Sequence, residues 1–184
     1  MRILGISGSL RRDSHNTNLL RAAALSLPPG VELELFDGLG DLPHYNTDID
    51  GDPPREPVAR LREAIAESDG VLISTPEFNA SIPGVLKNAL DWASRPLATN
   101  SFRNKPVAVI SSSAGAFGGV WAGAELRKVL AAMGARVAEA ELAVGHAHEK
   151  FDDRGSLADD DVRDGLREAL ELLLAEVSPA LAAA

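Results

Sequence analysis

The chain has 184 residues, of which 45% are hydrophobic and 24% are charged, and it contains no cysteine. This length suffices for one hydrophobic core and is short for two, so we expect a single domain over residues 1–184. The lack of cysteine excludes disulfides, thiolate nucleophiles and cysteine-ligated metal centres.

The net charge of −9 is distributed unevenly along the chain. Residues 139–184 contain 12 carboxylates against four basic side chains, and therefore carry −8. Residues 1–31 contain four arginines against one carboxylate and are clearly positive. The acidic balance and an aromatic content of 4% argue against nucleic-acid binding. Small molecules and further copies of the chain are the expected partners.

Apolar stretches are short throughout the chain. The first, residues 3–6, lacks the length of a signal-peptide core, and none approaches the length of a membrane span. We therefore expect a cytoplasmic protein that binds no membrane.

Five short apolar runs rich in β-branched residues alternate with helical stretches, which predicts βαβ units and a parallel sheet. The third and fourth runs are apolar at nearly every position, as expected for strands covered by helices on both faces. The second run alternates apolar and acidic residues, which predicts an edge strand with one solvated face. The predicted strands are residues 2–7, 31–36, 70–74, 106–111 and 136–140.

Proline and glycine mark the ends of the helical stretches between and after these runs. The predicted helices are residues 17–27, 57–67, 83–94, 119–133 and 159–177. The alternation predicts the α/β class, with a doubly wound five-stranded parallel sheet in a three-layer α/β/α arrangement. Ligands of such sheets bind beyond the carboxyl ends of the strands, where three loops matter most. These loops are residues 8–18, 75–83 and 111–119.

The first loop is rich in hydroxyls and contains two arginines. It leads into a helix, whose free N–H groups and positive dipole end favour an anion. It has neither the Gly-Lys-Ser/Thr ending of a P-loop nor the three glycines of a dinucleotide fingerprint. Serine and asparagine here also suit a simple helix cap. The candidate phosphate ligands are Ser9, Arg11, Ser14, Asn16 and Thr17.

The second and third loops suit a flat ring. The second combines prolines, which fix the backbone direction, with polar groups and the aromatic Phe78. The third consists mostly of small residues, which let the backbone approach a ring closely. Together with the first loop they predict a slot for a nucleotide-like cofactor.

Two signatures in these loops resemble those of the NADPH-dependent FMN reductase family of flavodoxin-like proteins, which includes quinone, azo-dye and chromate reductases. The first signature is Gly8-Ser9-Leu10-Arg11-x-x-Ser14-x-Asn16. The second is Pro76-Glu77-Phe78-Asn79-x-Ser81-x-Pro83-Gly84-x-Leu86-Lys87-Asn88-Ala89-x-Asp91-Trp92. Their order and spacing match the family over nearly the whole chain.

The resemblance implies FMN as cofactor, with its phosphate on the first loop. It implies that Pro76, Glu77, Phe78 and Asn79 contact the isoalloxazine, and that Ser112, Ser113 and Gly115 border it. Phe78 stands where tyrosine is common, so ring stacking is retained but any hydrogen bond from a phenol is lost. Homodimers or homotetramers with the flavin near the subunit interface are also implied. Apolar residues around Trp92 and Trp121 are candidates for that interface.

The implied reaction passes hydride from NADPH or NADH to flavin N5 and then electrons to a small acceptor. Flavins, quinones, azo compounds and chromate are the candidate acceptors, and a ping-pong mechanism is expected. Since the flavin carries the chemistry, no catalytic side chain and no metal are predicted. Arg103 and Lys105 are either contacts for the extra phosphate of NADPH or surface charges.

Two other functions remain open from sequence. A flavodoxin-like electron carrier would bind FMN without oxidising NAD(P)H itself. A metal-dependent hydrolase would use His146 and His148, although a single His-x-His pair is a weak signal.

Overall fold

The structure, a computed structural model, describes residues 1–178. Within this range the chain forms six strands, five α-helices and three short 3-10 turns. The strands are β1 (Arg2–Ser7), β2 (Glu32–Phe36), β3 (Gly70–Thr75), β4 (Pro106–Ser112), β5 (Arg136–Val137) and β6 (Leu142–Val144). The helices are α1 (His15–Ser26), α2 (Glu56–Glu67), α3 (Gly84–Ala93), α4 (Val120–Ala132) and α5 (Asp160–Val177). The 3-10 turns are Leu39–Asp41, Thr47–Ile49 and Ala147–Glu149.

All strands are parallel, in the spatial order β2-β1-β3-β4-β5, and β6 also pairs with β4. This order confirms the doubly wound sheet of five strand positions. It also confirms β2 as an edge strand, because Glu32 and Glu34 point their side chains to solvent.

The predicted fifth strand, residues 136–140, is wrong in its second half. Pairing with β4 stops at Val137 and resumes only at Leu142. Between these points β4 advances three residues, from Val107 to Ile110, while its neighbour advances five. The Arg127 side chain from α4 donates hydrogen bonds to the carbonyl oxygens of Val109 and Ala140. The Arg127 guanidinium thus satisfies backbone carbonyl groups at the point where the pairing of β4 with its neighbour is interrupted.

Helices cover both faces of the sheet. On one face α1 and α5 pack against β1, β3 and β4 through a buried cluster that includes Leu19, Leu20 and Leu170. On the other face α2, α3 and α4 bury residues such as Leu61 and Leu126. This is the predicted three-layer arrangement. None of the helices in the described range is both long enough and apolar enough to cross a membrane.

The parallel register sets the position of the loops. Ser7 at the end of β1 pairs with Ser74 of β3, and Thr75 pairs with Ser111 of β4. The loops that leave β1, β3 and β4 therefore start side by side at one edge of the sheet, as predicted.

Candidate cofactor-binding site

The first loop, residues 8–18, offers backbone donors at the start of α1. The Ser14 hydroxyl caps the helix by accepting the N–H of Thr17 at 3.3 Å. The N–H groups of His15 and Asn16 have no hydrogen-bond partner within residues 1–178. They lie in the first turn, where the helix dipole favours an anion.

The other polar groups of this loop are arranged around that turn. The Ser9 hydroxyl accepts the N–H of Arg11 at 3.3 Å, and the hydroxyls of Thr17 and Ser7 share a hydrogen bond of 2.8 Å. The Arg11 side chain is exposed and has no ion pair in the described part of the chain. Arg11 is therefore available to a phosphate.

Asn16 has a role that its place in the signature does not reveal. Its side chain is buried, and its Nδ2 donates to the carbonyl oxygen of Ser112 at 2.9 Å. Its Oδ1 accepts the hydroxyl of Ser74 at 2.8 Å. The Asn16 amide thus connects the start of α1 to the ends of β3 and β4, and only the backbone N–H remains for a ligand.

Glu77 likewise makes contacts within the protein. Its Oε2 accepts the N–H groups of Trp121 and Ala122, each at 3.1 Å. Helix α4 begins after Gly119, which lacks a capping side chain and has a φ of 87°. Glu77 therefore supplies the cap from another loop, and connects the second loop to the third.

The second loop makes a tight turn that exposes its aromatic residue. The backbones of Phe78 and Ser81 exchange two hydrogen bonds, and the residues between them, Asn79 and Ala80, have φ values of 54° and 59°. The Phe78 side chain is consequently 58% exposed. At the start of the loop, the Pro76 carbonyl accepts the Thr75 hydroxyl at 2.8 Å.

The third loop is held against the chain that follows β6. The Ser113 hydroxyl accepts the N–H of Gly115, whose carbonyl accepts the N–H of His146 at 3.1 Å. Gly118 is required here, because a Cβ would lie 2.5 Å from the Ala143 backbone. Ser112 is buried, and its hydroxyl has no partner among the described residues. Such an orphan hydroxyl is a candidate ligand contact.

His15 adds a titratable group beside the first loop. Its ring stacks on Phe151 with the centroids 5.6 Å apart. Burial lowers the pKa of His15, and the nearby charges of Arg11 and His148 lower it further. A neutral imidazole next to the free N–H groups of α1 is the result at neutral pH.

Trp92 lies in the core and not on a surface, which corrects its place in the predicted interface. It is 1% exposed, and its Nε1 donates to the Pro43 carbonyl at 2.8 Å. Asn88 binds the same carbonyl and also accepts the N–H of Tyr45. These residues of the second signature hold the long loop 37–54 against α3. Trp121, by contrast, is 50% exposed.

Arg103 and Lys105 lie before the amino end of β4, at the edge of the sheet opposite the three loops. Lys105 Nζ donates to the carbonyls of Ala66 and Ser68 at the end of α2. Burial lowers the pKa of its ammonium. The structure therefore removes both residues from the candidates for nicotinamide nucleotide contacts at the cofactor site.

The rings of His146 and His148 are 6.3 Å apart and nearly perpendicular. Among residues 1–178 no three histidine or carboxylate side chains are grouped so that they could hold a metal ion.

Known proteins share both the sequence pattern and the fold. The family model described as NADPH-dependent FMN reductase matches residues 1–149. The chain belongs to this family. An NAD(P)H-dependent FMN reductase of Pseudomonas aeruginosa is 42% identical over 176 residues, covering 94% of this chain and 93% of that protein. A 2-hydroxy-1,4-benzoquinone reductase of a Burkholderia species is 42% identical over 165 residues, covering 89% and 88%.

A solved structure of the flavoenzyme NAD(P)H:(acceptor) oxidoreductase FerB from Paracoccus denitrificans superposes with a TM-score of 0.86. It is 37% identical, and the match covers 96% of each chain. The family member described here is accordingly an FMN-containing oxidoreductase that takes electrons from NAD(P)H, and its fold is flavodoxin-like.

The residues at the sheet edge fit FMN. The free N–H groups of α1 and the Arg11 guanidinium suit a phosphate dianion. The buried Ser112 hydroxyl has no partner in the described part of the chain, and a polar ring atom could supply one. The exposed Phe78 ring offers an apolar face beside the slot.

Proposed function

We propose that the protein is an NAD(P)H-dependent quinone reductase that works by a ping-pong mechanism with FMN. The observation that supports this most is the convergence of three loops at one sheet edge, connected to each other by Asn16 and Glu77. They combine an anion-binding helix start with an apolar opening. The named activities of the relatives agree with a quinone as acceptor.

In this proposal the first loop anchors the cofactor. The N–H groups of His15 and Asn16, with the Arg11 side chain and the hydroxyls of Ser9, Ser14 and Thr17, hold the phosphate. The second loop, from Pro76 to Asn79, lies along the isoalloxazine. Ser112, Ser113 and Gly115 border its other side.

FMN, when bound, accepts a hydride from a nicotinamide and passes the electrons on to a second substrate. The chain supplies the opening through which both substrates enter. Phe78, Phe117 and Trp121 are each at least half exposed around it, and the Phe117 and Trp121 rings meet edge to face at 5.1 Å. An aromatic opening suits a planar, uncharged quinone better than the chromate dianion. Because one opening serves both substrates, each must leave before the other enters.

Oligomer formation belongs to the same proposal. Phe117, Val120 and Trp121 form an exposed apolar cluster at the start of α4. Contact through this cluster in a homodimer or homotetramer would cover part of its apolar surface and place the cofactor opening at the interface, lined by both chains. We propose as well that residues 1–184 form one domain and act in the cytoplasm. Light scattering on the purified protein measures the oligomeric state, and a monomer would contradict this part.

The visible spectrum of the FMN-loaded protein tests the activity. Anaerobic addition of NADPH or NADH should bleach the flavin band, and 1,4-benzoquinone should restore it. Steady-state rates should give parallel lines in double-reciprocal plots. A band unchanged by either donor would refute the reductase and favour an electron carrier. Intersecting lines would refute only the ping-pong mechanism.

A further inference from the structure

A positively lined cavity lies beside α1, outside the cofactor site. It occupies about 590 Å³ between α1 and the chain that leads into α5. Among residues 1–178, four arginines line it together with Asn18 and small or apolar residues, and no carboxylate does. The arginines are Arg21, Arg154, Arg163 and Arg167.

This concentration of positive charge is unusual for its place in the chain. Residues 139–184 contain only four basic side chains against 12 carboxylates. Three of the four line this cavity, and the remaining one, Lys150, is paired with Asp159 at 2.5 Å. Asp160 and Asp164 pair with two of these arginines but do not themselves line the cavity, so an anion there faces guanidinium groups in an acidic protein.

The arginines are available to a ligand. Within residues 1–178, the ion pairs of Arg163 and Arg167 are with Asp160 and Asp164, whose side chains are 86% and 74% exposed, and Arg163 also donates to the Leu157 carbonyl at 3.0 Å. Exposed pairs of this kind contribute little free energy and exchange readily. The Arg154 guanidinium has no partner among residues 1–178.

The walls of the cavity are fixed by local contacts. Asp152 accepts the N–H groups of Arg154 and Ser156 at 2.9 and 2.8 Å, which holds the turn. The Asn18 side chain packs against Gly155, where a Cβ would lie 2.7 Å from Nδ2. Leu25, which is 90% exposed, adds an apolar wall.

We propose that this cavity binds a phosphate-bearing small anion of the nucleotide class. Arginine forks bind phosphate through paired charge-assisted hydrogen bonds and also stack on planar rings, while Leu25 offers a hydrophobic contact. The volume accommodates a mononucleotide. The source is either the adenylate half of NADPH, with its 2′-phosphate, or a separate nucleotide. Only the first source rests on the proposed reductase function.

Calorimetry on the full-length, FMN-loaded protein tests the site with adenosine 2′,5′-bisphosphate and inorganic phosphate as probes. The double variant Arg154→Ala/Arg167→Ala should weaken bisphosphate binding at least about tenfold. The matched control, Arg60→Ala/Arg136→Ala, removes the same charge from other surfaces and should leave that binding unchanged. Arg21→Gln alters only the α1 wall of the cavity and should also weaken bisphosphate binding. It serves as the test if the double variant folds poorly.

The ratio of KM for NADPH to KM for NADH identifies the source. A rise of about tenfold in the double variant assigns the cavity to the 2′-phosphate of NADPH, and an unchanged ratio with lost bisphosphate binding assigns it to a separate nucleotide. No bisphosphate binding at millimolar concentration, or equal binding by variant and wild type, overturns the proposal. A flavin that neither donor reduces would refute the reductase function and leave the calorimetric result standing.

Discussion

Replacing Asn16 by alanine tests whether this residue supports the site or binds the phosphate. Its amide is 3% exposed and joins two buried partners, the carbonyl of Ser112 and the hydroxyl of Ser74. Alanine removes both hydrogen bonds and leaves the Ser112 carbonyl without a donor; the partner residues Ser112 and Ser74 are 1% and 0% exposed.

The loss is large enough to measure. Each net hydrogen bond contributes about 0.5–1.5 kcal/mol, and a stranded buried group costs about 1–3 kcal/mol. Because the Ser74 hydroxyl can rotate to another acceptor, we expect a total of about 2–4 kcal/mol in the free energy of unfolding. For a domain of this size that corresponds to a fall of about 4–16 °C in Tm.

Urea unfolding of the apoprotein measures this loss without interference from the cofactor. Asn18→Ala is the matched control, since it removes the same amide two residues later, where the one side-chain hydrogen bond within residues 1–178 is with the exposed Arg21. It should cost less than about 1 kcal/mol.

Cofactor affinities complete the test. If Asn16 positions the loops, Asn16→Ala should weaken FMN and riboflavin binding by similar factors, because both ligands use the ring slot. A variant as stable as Asn18→Ala that loses affinity for FMN alone would refute our reasoning and make Asn16 a phosphate ligand.

Four further outcomes follow from the site. Arg11→Ala should weaken FMN binding about 10- to 150-fold, as expected for loss of about 1.5–3 kcal/mol, and should leave riboflavin binding unchanged. If a fluorescence titration gives the variant and the wild type the same affinity for FMN, Arg11 is not part of the site. Phe78→Tyr should keep FMN bound and change turnover only modestly, since the exposed ring retains its face; cofactor loss on gel filtration would contradict this. Glu77→Ala should destabilise the protein by about 1–2 kcal/mol in urea, because two N–H groups of α4 lose their acceptor, and Glu77→Gln should restore part of that loss. The pKa of His15 is lowered in the folded protein, so the unfolded chain binds the proton more readily, and the free energy of unfolding should fall as the pH drops below about 6.5. His15→Gln should make this fall with pH less steep; an equally steep fall in variant and wild type would refute the lowered pKa.

Local patterns predicted the frame of the fold well. Strands β1, β3 and β4 fall within two residues of the predicted runs, because a buried parallel strand needs an unbroken apolar stretch bounded by turns. The start of α5 was also predictable from the sequence, because the Asp159 side chain accepts the N–H of Val162 at 3.0 Å, as an N-cap residue does. Such features depend on neighbours in sequence.

Features that depend on distant residues were not predictable. Nothing in residues 136–140 reveals that the ladder breaks there, because Arg127 on the preceding helix takes the Ala140 carbonyl. The roles of Asn16 and Glu77 were hidden for the same reason: their partners lie 96 and 44 residues away. A polar side chain in a ligand-binding signature looks the same whether its partner is a ligand or the protein.

The signatures therefore combine two kinds of residue with different energetic roles. Asn16, Glu77 and Asn88 already have their partners in the protein alone, and those contacts fix the three loops and the long loop beside them. The groups left open for a ligand include the first N–H groups of α1, Arg11 and the Ser112 hydroxyl. Because the framework contacts join protein groups to one another, they order the loops without drawing on the interaction energy of FMN. A framework substitution should thus reduce affinity for every flavin, whereas a substitution among the open groups should act only on the part of the flavin that it faces.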